Sequence, residues 1–166
     1  MSVKILSQQD VDKFYPVYSS VLKTEFPGYS SDVINYLLNR IYTPASLKFW
    51  IQKNEKFIYA ALHDDQIVGF ALIDLPYGGV SFCRWLGVVT QYQKQGCGTE
   101  LIAAWQKHAC AYHAHKMEVA SQPEAKEFYE KIGFIFEGLR KSSYFGIDQY
   151  LFGKIIAQPN STNMTR

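Results

Sequence analysis

The chain has 166 residues, 48% hydrophobic and 16% aromatic, which is ample for one core and cramped for two; one domain over 1–157 is expected, with a polar tail at 158–166. Its 17 basic and 15 acidic residues leave a formal charge of +2, so no electrostatic case exists for a nucleic-acid surface or a polybasic membrane patch. No apolar run approaches the roughly 20 residues of a spanning helix, Met1-Ser2-Val3-Lys4 leads into no secretory segment, and Cys83, Cys97 and Cys110 lack paired spacing; a soluble, cytoplasmic protein is expected.

Residues 3–6 read as a first strand, after which Ser7 or Asp10 caps a helix with Val11, Phe14, Tyr15, Tyr18, Val21 and Leu22 on one face. Pro16 disturbs it, so the helix either kinks there or has its regular part beginning near Asp12. Pro27-Gly28 marks a loop. Ser31-Asp32 then opens a second helix carrying Val33, Leu37, Leu38 and Ile41, and Thr43-Pro44 starts a third that reaches about Lys53. Residues 56–63 and 67–75 are strand-like and form a hairpin across Asp64-Asp65-Gln66, and Pro76-Tyr77-Gly78-Gly79 turns the chain into a strand over 81–89. A helix over about 99–113 and a strand over 116–121 follow. A helix with Ala125, Phe128, Tyr129 and Ile132 on one stripe ends at Gly133, and strands over 134–138 and 144–156 complete the set.

The most informative stretch runs from Leu86-Gly87-Val88-Val89 through Thr90-Gln91-Tyr92-Gln93-Lys94-Gln95-Gly96-Cys97-Gly98 into the helix of Leu101, Ile102, Trp105, Ala109 and Tyr112. Gly96 and Gly98 remove Cβ atoms where a backbone must approach a ligand. The helix that follows presents unbonded amides and a partial positive charge, so the turn suits a phosphate or pyrophosphate. A nucleoside-triphosphate loop needs Lys and then Ser or Thr after the last glycine, and Thr99-Glu100 stands there instead. The dinucleotide fingerprint needs three glycines in a first βαβ unit, and this turn has two, deep in the chain.

Gln93-Lys94-Gln95-Gly96-Cys97-Gly98 fits the pattern Gln or Arg, two residues, Gly, one residue, Gly or Ala. Downstream, Gln122-Pro123-Glu124-Ala125-Lys126-Glu127-Phe128-Tyr129-Glu130-Lys131-Ile132-Gly133-Phe134 is similar to Asn-x-x-Ala-x-x-Phe-Tyr-x-x-x-Gly-Phe. With the hydrophobic run before the turn and Tyr92 ahead of Gln93, these two segments make the chain resemble the GCN5-related N-acetyltransferases, the GNAT superfamily, over about residues 56–156. The N-terminal third agrees only in its order of elements. The resemblance implies an α+β, three-layer fold: a mixed, mainly antiparallel central sheet of about seven strands flanked by helices. It implies acetyl-CoA as cosubstrate and an amine-bearing small molecule or peptide as acceptor, acetylated by direct attack in a ternary complex.

Site residues follow from the same resemblance. The amides of Gln95, Gly96, Cys97, Gly98 and Thr99 would cradle the pyrophosphate, and the backbone of Val88 and Val89 would pair with pantetheine. Gln93 and Lys94 would line the rim, although Lys94 reads equally as a solvated surface charge. Cys97 reads either as a reactive thiol or as the filler of the motif's small slot. Tyr129 falls on the family's tyrosine, often the general acid, and also belongs to an apolar stripe that would make it core. The strand before the turn carries no carboxylate and has Phe82 where many relatives place a polar group; Glu118 is then the nearest acidic candidate for the base, against an exposed strand carboxylate as the plain reading. His108, Cys110, His113 and His115 crowd one helix end without the His-x-x-x-His spacing, and the helix dipole favours histidine there, so no metal is expected. The N-terminal helices would wall the acceptor site, with Phe26, Tyr29, Trp50 and Trp85 as candidate pocket residues. Sheet edges leave a homodimer open. The missing base keeps a second function open, a degenerate GNAT domain that binds acyl-CoA as a sensor or assembly module.

Overall fold

The computed structural model describes residues 1–161, so of the tail expected at 158–166, residues 162–166 lie outside the described residues. Strand β1 (Ser2–Ile5) is followed by helices α1 (Val11–Thr24), α2 (Ser31–Tyr36) and α3 (Pro44–Gln52). The chain then runs through strands β2 (Lys56–His63), β3 (Gln66–Asp74) and β4 (Val80–Val88) to helix α4 (Cys97–Ala111). Strand β5 (Lys116–Ser121), helix α5 (Lys126–Lys131) and strands β6 (Ile135–Arg140) and β7 (Gln149–Ile155) complete the order. The seven strands form one sheet in the order β1-β2-β3-β4-β5-β7-β6, antiparallel at every step except β4–β5. A parallel step needs a crossover, and α4 supplies it.

Helices cover both faces. Leu101, Trp105 and Ala109 of α4 pack with Ile73, Met117 and Phe152 on one face, and Phe14, Tyr18 and Leu22 of α1 pack with Leu37, Leu47 and Phe70 on the other. β3 is buried along nearly all of its length, which explains why Ile67-Val68-Gly69-Phe70-Ala71-Leu72-Ile73 reads as a continuous apolar run rather than an alternation. The Trp105 indole donates to Ser81 Oγ at 2.8 Å, so the polar atom of this large buried ring is satisfied inside the core.

Three local features differ from or refine the expectations. Helix α1 passes through Pro16 without breaking; a short 3-10 turn, Gln8–Asp10, precedes it, and Ser7 and Asp10 form a reciprocal cap. Pro16 is exposed, so solvent can serve the carbonyl its ring leaves without a donor. After α2 the chain takes one π-type turn over Leu37–Ile41, in which Tyr42 N donates to Leu37 O at 2.7 Å. The last strand expected over 144–156 begins only at Gln149. Residues Tyr144–Gly146 form a turn with Phe145 at φ 60° and Gly146 at φ 77°, held by Ser143 N donating to Ile147 O at 2.7 Å and Ser142 N to Asp148 Oδ1 at 2.9 Å. The segment's aromatics read as a strand, but Phe145 sits on a turn, 44% exposed, with its ring 6.3 Å from Tyr29.

Candidate active site

β4 pairs with β5 only over Val80–Cys83, opposite Lys116–Val119, although both strands continue beyond that point. Where their pairing ends, a cavity of about 680 Å³ opens, lined on one side by Leu86, Gly87 and Val88 and on the other by Val119, Ala120 and Ser121. Val89 N donates to Val68 O at 2.9 Å and Gly87 stands opposite Phe70, so ladder alternation turns the peptide groups of Leu86 and Val88 away from β3 and into the gap. Gln93 Nε2 donates to Val88 O at 3.0 Å. Of the two residues expected to offer main-chain groups, Val88 faces the gap, whereas Val89 has its amide in the sheet and its carbonyl accepting from Tyr92 N at 2.8 Å. Leu86 takes its place.

The turn lies at one end of this gap. Gln93 N donates back to Thr90 O at 3.2 Å and Glu100 N to Gly96 O at 3.0 Å; between them the amides of Lys94 through Thr99 find no acceptor among the described residues. Free amides at the start of a 15-residue helix make an anion-attracting concavity. Gly96 sits at φ 86°, and a Cβ there would meet nothing within 4 Å. Gly98 is different: a Cβ would stand 2.9 Å from Phe128 Cζ, so its bareness answers to packing against α5 rather than to a ligand. Cys97 points the other way, into the core, with burial holding its thiol up at about 11, which matches the small-slot reading. Lys94 lines the cavity and has no ion-pair partner among the described residues. Gln95 and Thr99 are exposed, and Gln95 Nε2 donates to Gln91 O at 2.7 Å.

Tyr129 is 4% exposed and lines the cavity. Its ring lies 5.5 Å from Phe152 and 5.1 Å from Phe128, so it belongs to the core and borders the gap at once. Burial, with a small contribution from the Cys83 thiol, pushes its hydroxyl well above the ordinary tyrosine range. Glu118 lies elsewhere: Lys116 Nζ stands 2.8 Å from it and from Glu137, and neither carboxylate borders the cavity. Two carboxylates do border it, Glu25 and Glu124, and the sequence singled out neither as a base. Glu25, at the end of α1, accepts from Thr90 Oγ1 at 2.5 Å, Gln93 Nε2 at 2.6 Å and Thr24 Oγ1 at 2.9 Å. Burial works to raise its pKa, but these three donors together outweigh burial and hold it below the ordinary range. No motif surrounds Glu25; only the fold brings it to the turn.

The far end of the cavity is aromatic. Trp85, 7% exposed, has ring centroids at 5.1 Å from Phe26, 5.6 Å from Tyr29 and 5.9 Å from Tyr42. Phe26, Tyr29 and Trp85 thus meet as expected, while Trp50 stands behind Tyr42 and off the cavity wall. Tyr42 is brought there by the π-type turn. A clip crosses the cavity mouth: Gly28 N donates to Gln122 Oε1 at 2.8 Å. Among the described residues no cluster of three or more His, Cys, Asp or Glu is placed to hold a metal, and no helix is long and apolar enough to cross a membrane.

The family model for the acetyltransferase (GNAT) domain matches residues 25–144, and the chain belongs to that family. Its fold is similar to the PaiA N-acetyltransferase of Thermoplasma acidophilum, solved in complex with coenzyme A, at TM-score 0.77 and 20% identity over 94% of this chain and 100% of that one. It is also similar to a probable acetyltransferase of Staphylococcus epidermidis (TM-score 0.76, 16% identity, 93% and 98% covered). A third similar fold is the ribosomal-protein-alanine N-acetyltransferase of Brucella melitensis (TM-score 0.74, 15% identity, 94% and 100% covered). Among curated proteins no sequence matches.

Proposed function

We propose that the chain moves the acetyl group of acetyl-CoA to a primary amine of a small molecule or peptide, by direct attack within a ternary complex. The observation that carries this reading is the run of acceptor-free amides from Lys94 to Thr99 at the mouth of the gap between β4 and β5. Those amides hold the pyrophosphate, with Lys94 adding charge. The Val88 amide receives pantetheine as an added strand would. The Leu86 amide, next along the same edge, donates to the thioester carbonyl as negative charge grows on its oxygen.

In the transfer the amine nitrogen forms a bond to the acyl carbon, the carbon–sulfur bond breaks, and the thiolate leaves with the electron pair. Tyr129 gives its proton to that thiolate; burial keeps the hydroxyl protonated until the charge appears beside it. The amine must shed a proton, and water in the cavity takes it, because Glu25 beside the turn already accepts three hydrogen bonds. That saturation favours the second reading, a domain that binds acyl-CoA without turnover. Thiol release from acetyl-CoA across a panel of amines, run beside calorimetric CoA binding, separates the two: binding with turnover supports transfer, and binding with no turnover on any amine supports the module. Within the first reading, Tyr129→Phe lowers kcat by about 10²-fold or more with CoA affinity unchanged. Equal turnover would return Tyr129 to a purely structural role.

A further inference from the structure

The acceptor end of the cavity has an uneven charge. Asp74, the last residue of β3, accepts from both Lys56 Nζ and Arg84 Nε at 2.5 Å, so one carboxylate stands between two cations and the cluster keeps a net positive charge. Arg84 owes its place to a bulge: Leu72 faces Trp85 while Ile73 faces Cys83, leaving Arg84 as the extra residue of β4. Its side chain is 41% exposed, lines the cavity and lies 4.7 Å from the centre of the Phe82 ring. Only Nε is bonded to protein, and the two terminal nitrogens have no partner among the described residues. The fork is therefore held in place from behind with its open edge unfilled.

We propose that the acceptor is a primary amine whose aromatic or aliphatic body carries a carboxylate or similar anion at the end away from the amine. The body lies against Tyr29, Tyr42 and Trp85, and the anion meets the free edge of Arg84. This rests on the acetyl-transfer reading above, which sets the amine near the Leu86 peptide. Arg84 and Leu86 are separated by about 7 Å along the strand, and the Arg84 side chain runs back toward Phe82, so amine and anion are at least that far apart. An ω-amino acid has that separation, and an α-amino acid does not. A polycationic amine meets a net positive cluster at the end where its second cation would lie.

The test uses the full chain with acetyl-CoA and reads thiol release with 4-(aminomethyl)benzoate, 6-aminohexanoate, benzylamine, hexylamine and spermidine. The two carboxylated amines are expected to exceed their neutral counterparts and spermidine in kcat/KM by about tenfold or more. Arg84→Gln is expected to raise KM for 4-(aminomethyl)benzoate about tenfold more than KM for benzylamine, with Arg84→Lys recovering part of the loss. Thermal unfolding of both variants accompanies the kinetics, and Lys56 keeps Asp74 paired when Arg84 is gone. Preference for spermidine or the neutral amines, or equal effects of Arg84→Gln on both classes, overturns this inference and leaves acetyl transfer standing. CoA binding without thiol release on all five amines overturns acetyl transfer and the inference with it.

Discussion

Gly96 and Gly98 are separated by one residue and constrained by different neighbours. Gly96 has open space around it and a left-handed φ of 86°, so a side chain there costs about 1–2 kcal/mol in backbone strain and projects where the anion would sit. Gly98 has ordinary backbone and a Phe128 ring 2.9 Å from its missing Cβ. The two positions should therefore fail in different ways. Gly96→Asp, which puts a carboxylate among the acceptor-free amides, is expected to weaken CoA binding by 10²-fold or more, as an order-of-magnitude figure, with a small fall in melting temperature. Gly98→Ala is expected to cost about 1–3 kcal/mol of folding stability as the ring shifts, and to weaken CoA less than Gly96→Asp does. Calorimetric CoA titrations beside thermal melts check both, and unchanged CoA affinity in Gly96→Asp would remove the turn from the site. In the sequence the two glycines looked alike because the pattern records that a Cβ is missing, not what stands in its place.

The strap over the cavity mouth is built from elements far apart in the chain. Gln122, just after β5, accepts from Gly28 N at 2.8 Å and reaches Glu25 O at 3.5 Å with its amide nitrogen, tying the loop after α1 to the segment that leads into α5. That loop carries Phe26 and Tyr29, two of the rings around Trp85, so the strap positions the aromatic wall rather than the turn. Gln122→Ala removes hydrogen bonds worth about 0.5–1.5 kcal/mol each. The expected result is a several-fold rise in acceptor KM with CoA affinity within about twofold, and faster hydrogen exchange at the Gly28 amide; a matching loss of CoA affinity would place the strap at the cosubstrate instead. The elements that the sequence makes visible are those specified by neighbouring residues. The turn, α4, α5 and the hairpin β2–β3 were legible because each is specified by residues close in sequence: glycine punctuation, helical stripes, apolar strands. The parting of β4 from β5, the bulge that carries Arg84, the π-type turn that carries Tyr42 and the arrival of Glu25 were not, because each is fixed by which strand or helix ends up beside it.

Stability of the molecule as a whole is coupled to pH through a group far from the cavity. His108, on α4, is packed against Phe57 at 4.4 Å and Tyr112 at 4.5 Å between ring centres, with its Nδ1 3.1 Å from the Tyr59 hydroxyl and its Nε2 buried without a partner. Burial disfavours the charged imidazolium and lowers its pKa from 6.5 to about 4. The unfolded chain therefore takes up a proton below its ordinary value near 6.5 while the folded chain resists until about 4, so the unfolded state binds more protons in that window and stability falls as pH falls through it. The expected loss between pH 7 and pH 4.5 is on the order of 2 kcal/mol. Asp10, held at about 2 by Ser7 and then by Lys4 against some opposing burial, contributes its own loss only at lower pH, below the ordinary carboxylate value of 3.8. Denaturant unfolding at intervals from pH 7 to pH 4.5 should thus show the slope in the native sequence and a flatter profile in His108→Gln, which keeps a polar contact for Tyr59 and has nothing to titrate. An equal slope in both proteins would mean that the imidazole is protonated inside the fold and that the pH response arises elsewhere.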